Sequence, residues 1–198
     1  MIKFKKLNLD EPYIKFKEDY NLALNNNQKF IEAVTISSYS KSIDEVNSRM
    51  VNIKFVDNTD FIFFSNYNSP KSKEFIEHNQ INAMFFWDSI NVQIRLKAKI
   101  RKTSNQFNQE YFSSRSKLKN ALAISSNQSE YIDSYESVIN KYNKSLKSDK
   151  LNECPDYWGG FLFTPYYFEF WKGHESRLNK RDIYEMREGK WQHYFLQP

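Results

Sequence analysis

The sequence predicts a mainly β domain with flanking helices, on three observations. Phe 17, Tyr 13 and Trp 4 are many for 198 residues, while Gly 4 is few. Aromatic side chains suit pleated, half-buried surfaces, so this composition favours a densely packed sheet or barrel. Between Val92 and Ile100, Val92, Ile94, Leu96, Ala98 and Ile100 alternate with Gln93, Arg95, Lys97 and Lys99, which is the period-2 signature of a strand with one buried face. A final stretch, Tyr157 to Trp171, carries nine aromatic residues around Gly159-Gly160 and reads as the strands that close the core.

The elements follow in order. Glu11 to Leu24 has Tyr13, Phe16, Tyr20 and Leu24 near helical spacing. Residues 1–29 as a whole read as a peripheral N-terminal segment of a single domain, 1–198. Ala33–Ile36 and Met50–Phe55 turn to strand, and Asp57, Asn58 and Asp60 suit a hairpin returning as Phe61–Phe64. Ser69-Pro70 predicts a helix start, with serine supplying the cap oxygen and proline at a position whose N–H has no partner; the helix runs to about His78. Ala83–Trp87 and Val92–Ile100 follow as strands. Ser104 is placed to cap a short helix through Phe112, and a second helix covers Lys119 to Ile124. Tyr131–Leu146 reads as the longest helix. Lys144 to Pro155, polar and without period, reads as a mobile surface connection, and Trp191–Phe195 as the last strand.

Composition narrows the chemistry. Lys and Arg number 29 against 24 Asp and Glu, a formal charge of 29 − 24 = +5, which favours anionic partners without choosing one. One cysteine, Cys154, excludes an internal disulfide framework, and with three histidines no thiolate or histidine-rich metal site is expected. No stretch approaches the roughly 20 apolar residues of a membrane span, and no signal-like apolar core follows Met1–Lys6. The expectation is a cytoplasmic protein without membrane or nucleic-acid partners, since its basic residues are interleaved with acids and form no stripe.

Several short runs carry the functional signal: Ser48-Arg49-Met50-Val51-Asn52-Ile53-Lys54; Phe64-Ser65-Asn66 followed by Ser69 and Lys71; Val92-Gln93-Ile94; Tyr111-Phe112-x-x-Arg115; Gln128-Ser129; and Tyr157-Trp158-Gly159-Gly160-Phe161 leading to Glu169-Phe170-Trp171-x-Gly173 and Arg177-Leu178-x-x-Arg181. In order and spacing, over about residues 30–198, they resemble the pyridoxine (pyridoxamine) 5′-phosphate oxidase family. The resemblance implies an FMN-binding split β-barrel that works as a homodimer with FMN at the interface, and a small anionic substrate. It makes Arg49, with Met50 beside it, and Lys71 ligands of the flavin phosphate. Ser65 and Gln93 match flavin-bonding positions, and Gln128 with Ser129 a pair contributed across the interface. Trp171 and Arg181 match positions beside the flavin ring. Lys54, Tyr111, Arg115 and Lys119 fall on the substrate-phosphate side, and Arg177 and Asn179 on the catalytic segment over the substrate.

The implied activity is oxidation of pyridoxine or pyridoxamine 5′-phosphate to pyridoxal 5′-phosphate by O2, giving H2O2. A related oxidase acting on another small anionic heterocycle, and a flavin-binding protein without catalysis, stay open beside it. Physical chemistry supports the basic residues as anion ligands: guanidinium offers parallel hydrogen bonds and ammonium a point charge. Lys71, in the first turn of its helix, meets the positive end of the dipole unless an anion is present. Arg49 and Lys54, five apart on a predicted strand, are expected on opposite faces, either with one anion on each side or with one of the pair exposed at the strand end. Three departures touch the site: Pro70 stands where the family commonly has arginine; Asn179 and Lys180 stand where it has histidine and an acid; and Lys117 and Lys119 replace an arginine and a serine.

Overall fold

The computed structural model describes residues 1–198. Ten strands form: β1 (Lys3–Lys5), β2 (Ala33–Ser40), β3 (Glu45–Asn52), β4 (Phe55–Asp57), β5 (Asp60–Asn66), β6 (Gln80–Trp87), β7 (Val92–Lys102), β8 (Trp158–Lys172), β9 (Lys180–Arg187) and β10 (Lys190–Leu196). Five helices decorate them: α1 (Glu11–Asn25), α2 (Pro70–Glu77), α3 (Asn105–Ser114), α4 (Lys117–Ser125) and α5 (Tyr135–Ser145). The strands make one sheet in the order β1-β4-β5-β8-β7-β6-β2-β3, with β9 on β8 and β10 on β9. Every pairing is antiparallel except β1 on β4. The sheet divides at β8, whose first residues pair with β5 and whose last pair with β9, while β7 runs along most of its length. One strand with two successive neighbours on the same side opens the barrel.

Inside, the expected alternation is met: Val92, Ile94, Leu96, Ala98 and Ile100 are all buried. Phe61 stacks on Phe163 at 5.3 Å between ring centres. The N-terminal segment corrects the expectation of a peripheral element. Tyr13, Phe16, Tyr20 and Ala23 of α1 are buried in the main core, and Phe16 meets Phe61 and Phe85 edge-on at 4.9 and 5.3 Å. The stripe passes through Ala23 rather than Leu24, which is exposed. Each such burial contributes about 1.5–3 kcal/mol, so α1 is part of the core rather than an appendage.

Three local expectations change. Ser69 does not cap α2; its Oγ instead donates to the Asn66 carbonyl at 2.7 Å and accepts from Lys71 Nζ at 3.0 Å. By contrast Ser104 caps α3 as expected, accepting from Phe107 N. The helix predicted from Tyr131 starts at Tyr135, because Ser134 Oγ accepts from Ser137 N at 3.1 Å and fixes the first turn there; α1 is therefore the longest helix. The segment after α5 has no regular structure, yet it is tied down: Leu151 is buried and its carbonyl accepts from Asn120 Nδ2 at 2.8 Å. No helix is long and apolar enough to cross a membrane.

Candidate active site

A cavity of about 560 Å³ opens between β3, β5, the start of α2, and α3 and α4. Its wall holds five cations, Arg49, Lys54, Lys71, Arg115 and Lys119, together with Met50, Ser65, Tyr111, Gln128, Ser129 and Trp158, and no acidic side chain. Like charges gathered on one wall are costly to hold, and only Arg49 and Lys54 have a carboxylate partner behind it. The cavity is therefore built for an anion.

The cations fall into two clusters. Arg49 leaves β3 toward α2, where Lys71 is buried and its amino group is pushed down to about 8, by burial first and by Arg49 second. Lys54 belongs to the other cluster: burial lowers its pKa, Glu32 at 3.9 Å partly restores it, and Lys119 and Arg115 lower it again. Here the sequence expectation fails. Arg49 and Lys54 line one cavity rather than opposite faces of a strand, because β3 ends at Asn52 and the chain bends before Lys54. Counting by twos does not survive that bend.

Aromatic rings form the floor of the second cluster. Phe64 stacks on Tyr111 at 3.8 Å and on Trp158 at 5.2 Å. The Arg115 guanidinium lies 4.4 Å from the centre of the Trp158 ring, and its Nη2 donates to the Lys119 carbonyl at 3.2 Å. Its buried Nη1 has no partner in the protein. A buried guanidinium nitrogen without an acceptor costs free energy that an anion in the cavity would restore. The loop after α4 is pinned to β5 from the same chain: Gln128 Oε1 accepts from Ser65 Oγ at 3.1 Å and from Asn66 N at 3.3 Å. Gln128 and Ser129 thus line the same cavity wall as Ser65.

The remaining expected residues lie elsewhere. Phe86, Gln93, Trp171 and Arg181 form one cross-strand row over β6, β7, β8 and β9. Met84 and, through Thr35, Met50 stand on the same face. That face is open, with Phe86 56% and Met50 69% exposed. Arg181 is fixed: its Nε donates to Glu169 Oε1 at 2.8 Å, while Arg95 and the Tyr167 hydroxyl hold Glu169 Oε2. Asp182, its neighbour in sequence, is paired with His193, Lys15 and Lys180. Gly173 opens the turn into the next loop, where an added Cβ would come within 2.2 Å of Asn91 Nδ2. In that loop Arg177 has φ +59°, and Asn179 Oδ1 accepts from His174 N at 3.0 Å. None of Gln93, Trp171, Arg177, Asn179 or Arg181 lines the cavity.

Sequence reasoning missed Trp158 as a wall of the cavity and Glu74 and Glu169 as partners of site arginines. The spacing held a signal for the acids: Glu74 follows Lys71 by three on a helix, and Glu169 precedes Trp171 by two on a strand, so each shares a face with an expected ligand.

This arrangement is that of a split β-barrel. A crystal structure of PhzG from Burkholderia lata, 22% identical, superposes with a TM-score of 0.88 over 95% of this chain and 93% of the other. A pyridoxamine 5′-phosphate oxidase-related, FMN binding protein from Nostoc punctiforme, 10% identical, gives 0.77 over 92% and 97%. Residues 158–198 match the model of the pyridoxine 5′-phosphate oxidase C-terminal dimerisation region. The chain is 35% identical over 192 residues to the pyridoxine/pyridoxamine 5′-phosphate oxidase of Christiangramia forsetii, covering 96% of this chain and 89% of that one. It is 33% identical to the one from Vesicomyosocius okutanii, over 90% and 86%. The chain belongs to the pyridoxine/pyridoxamine 5′-phosphate oxidase family, a group of FMN-binding oxidoreductases.

Proposed function

We propose that the protein is an FMN-dependent oxidase, working as a homodimer, that acts on a small anionic heterocycle other than pyridoxine or pyridoxamine 5′-phosphate. The observation that carries this reading is the cavity with two clusters of cations and no carboxylate: one cluster for the cofactor phosphate, one for the substrate anion. The residues fit FMN. Arg49 and Lys71 would hold its phosphate, with Ser65, Gln128 and Ser129 along the cavity wall. Gln93, Trp171 and Arg181, displayed on the open face, would reach the flavin of a second copy. Exposed Met50, Met84 and Phe86 on that face supply apolar surface for such a contact.

When bound, FMN supplies a ring that accepts a hydride equivalent from the substrate and returns electrons to O2, giving H2O2. The chain's own residues orient and exclude. Lys54, Arg115 and Lys119 would hold the substrate anion, Tyr111 and Trp158 would wall off water from it, and Arg177, outside its own chain's cavity, would cover the substrate ring from a second copy. No side chain needs to act as a strong base. The work is positioning.

Pyridoxine or pyridoxamine 5′-phosphate is the second reading, favoured by Lys54, Tyr111 and Arg115 standing together in the cavity. Asn179 weakens it, since its carbonyl is spent on the His174 N–H and its amide carries no proton charge. A heterocyclic carboxylate fits the same cations, and the Burkholderia relative was crystallised with tetrahydrophenazine-1-carboxylic acid. Peroxide release from FMN-loaded protein, measured on pyridoxine and pyridoxamine 5′-phosphates and on a panel of heterocyclic carboxylates, decides between them. Release with a carboxylate and none with either phosphate ester supports the main reading, and the reverse supports the second. A protein that takes up no FMN sinks both.

A further inference from the structure

Arg49 is held from behind. Its Nη2 donates to Glu74 Oε2 at 2.7 Å, and its Nη1 donates to Ser38 Oγ at 2.5 Å and to the Ile36 carbonyl at 3.4 Å. Glu74 is itself fixed: the Ser38 hydroxyl also donates to Oε2, and Asn47 Nδ2 donates to Oε1 at 3.2 Å. The carboxylate is buried, 5% exposed, one helical turn beyond Lys71 on α2 and outside the cavity wall. A guanidinium has five N–H groups. Three are occupied here, which leaves the Nε hydrogen and one on Nη2 for an anion in the cavity.

We propose that Glu74 is a positioning residue for the cofactor phosphate: its buried carboxylate locks Arg49 in the orientation that presents its two unused N–H groups to the cavity. The proposal rests on the reading of that cavity as an FMN site. Two roles of a carboxylate near an anion site have opposite signs. A negative charge close to a phosphate repels it, whereas a carboxylate that pre-orders a guanidinium lowers the ordering cost of binding. Three donors and burial keep Glu74 from swinging into the cavity as a competing anion, so ordering governs. Pro70 sharpens the dependence, because it adds no cation and leaves Arg49 the only guanidinium in this cluster. Lys71, close enough to Arg49 for its ammonium to be disfavoured, benefits from the same negative charge.

The test compares FMN with riboflavin, which lacks the phosphate, by quenching of flavin fluorescence on titration with wild-type protein, Glu74→Gln and Glu74→Asp. We expect Glu74→Gln to weaken FMN about tenfold, to change riboflavin by less than about twofold, and Glu74→Asp to recover part of the loss. Tighter or unchanged FMN binding in Glu74→Gln would overturn the proposal, as would equal losses for the two flavins, which would mark a general structural role. If Glu74→Gln does not fold, Ser38→Ala removes the other anchor of Arg49 and is expected to give a smaller loss selective for FMN; no selective loss there overturns the proposal too. Wild-type protein without affinity for FMN would sink the cofactor reading and this one together. Wild-type binding with an insensitive Glu74 would sink this one alone.

Discussion

The cavity and the open sheet face meet the same demand in opposite ways. In the cavity, five cations face one another and no acid lines the wall; the main balancing acids, Glu74 and Glu32, stand behind Arg49 and Lys54. On the sheet face, Arg181 and Arg95 share the buried Glu169, so the charge is largely settled within the chain. The first region is shaped by helices and a pinned loop and turns its cations toward one cavity. The second is a half-exposed row of side chains across four strands. On the proposed reading, a site divided in this way is completed by a second copy that lays its row over the cavity of the first.

Breaking the cavity should have the largest effect. Arg49→Ala removes a bidentate charge-assisted contact worth about 2–3 kcal/mol, hence about 100-fold in FMN affinity; titration should show riboflavin nearly unaffected. Equal losses would place Arg49 away from the phosphate. Next, Arg177→Ala is expected to lower turnover about tenfold while changing FMN retention less than twofold, measured by steady-state peroxide release and by flavin content after desalting. Full activity would remove Arg177 from the substrate.

The titration of Lys71 gives a third, smaller effect. With its pKa pushed down to about 8 in the free protein, the ammonium must be restored when a dianion binds. FMN affinity is therefore complete only about one unit or more below pH 8 and falls as pH rises, by about eightfold between pH 7.5 and 9. Riboflavin should show no such slope; a parallel slope for both flavins would assign the titration elsewhere. The smallest change is Asn179→His, expected to raise the rate on pyridoxine 5′-phosphate about two- to threefold. A flat or falling rate would show a pocket rebuilt for another substrate.

Much of the scaffold was legible because it repeats a period. The alternation from Val92 to Ile100 puts Gln93 on the face opposite the core, and the spacing of Tyr13, Phe16 and Tyr20 gives α1. Its depth was not legible, since a polar-looking segment hides a four-residue stripe that enters the core. Nor was the joint wall of Arg49 and Lys54, because a bend after Asn52 is a tertiary event that local counting cannot see. The bond that ties Gln128 to Ser65, 63 residues away, was beyond local counting for a related reason. The division of the site into a cavity and a separate sheet row emerges only from the strand register.

That division is tested most directly by complementation. One chain carries Arg49→Ala with Lys71→Ala, and the other Trp171→Ala with Arg181→Ala; each alone is expected to retain little FMN. Unfolded, mixed and refolded together, half of the dimers pair the two kinds, and each mixed dimer regains one intact cavity facing one intact row. We predict recovery of about one tightly bound FMN per four chains, with oxidase activity returning in proportion. No recovery on mixing, with both variants folded and dimeric, would contradict a site shared between two copies.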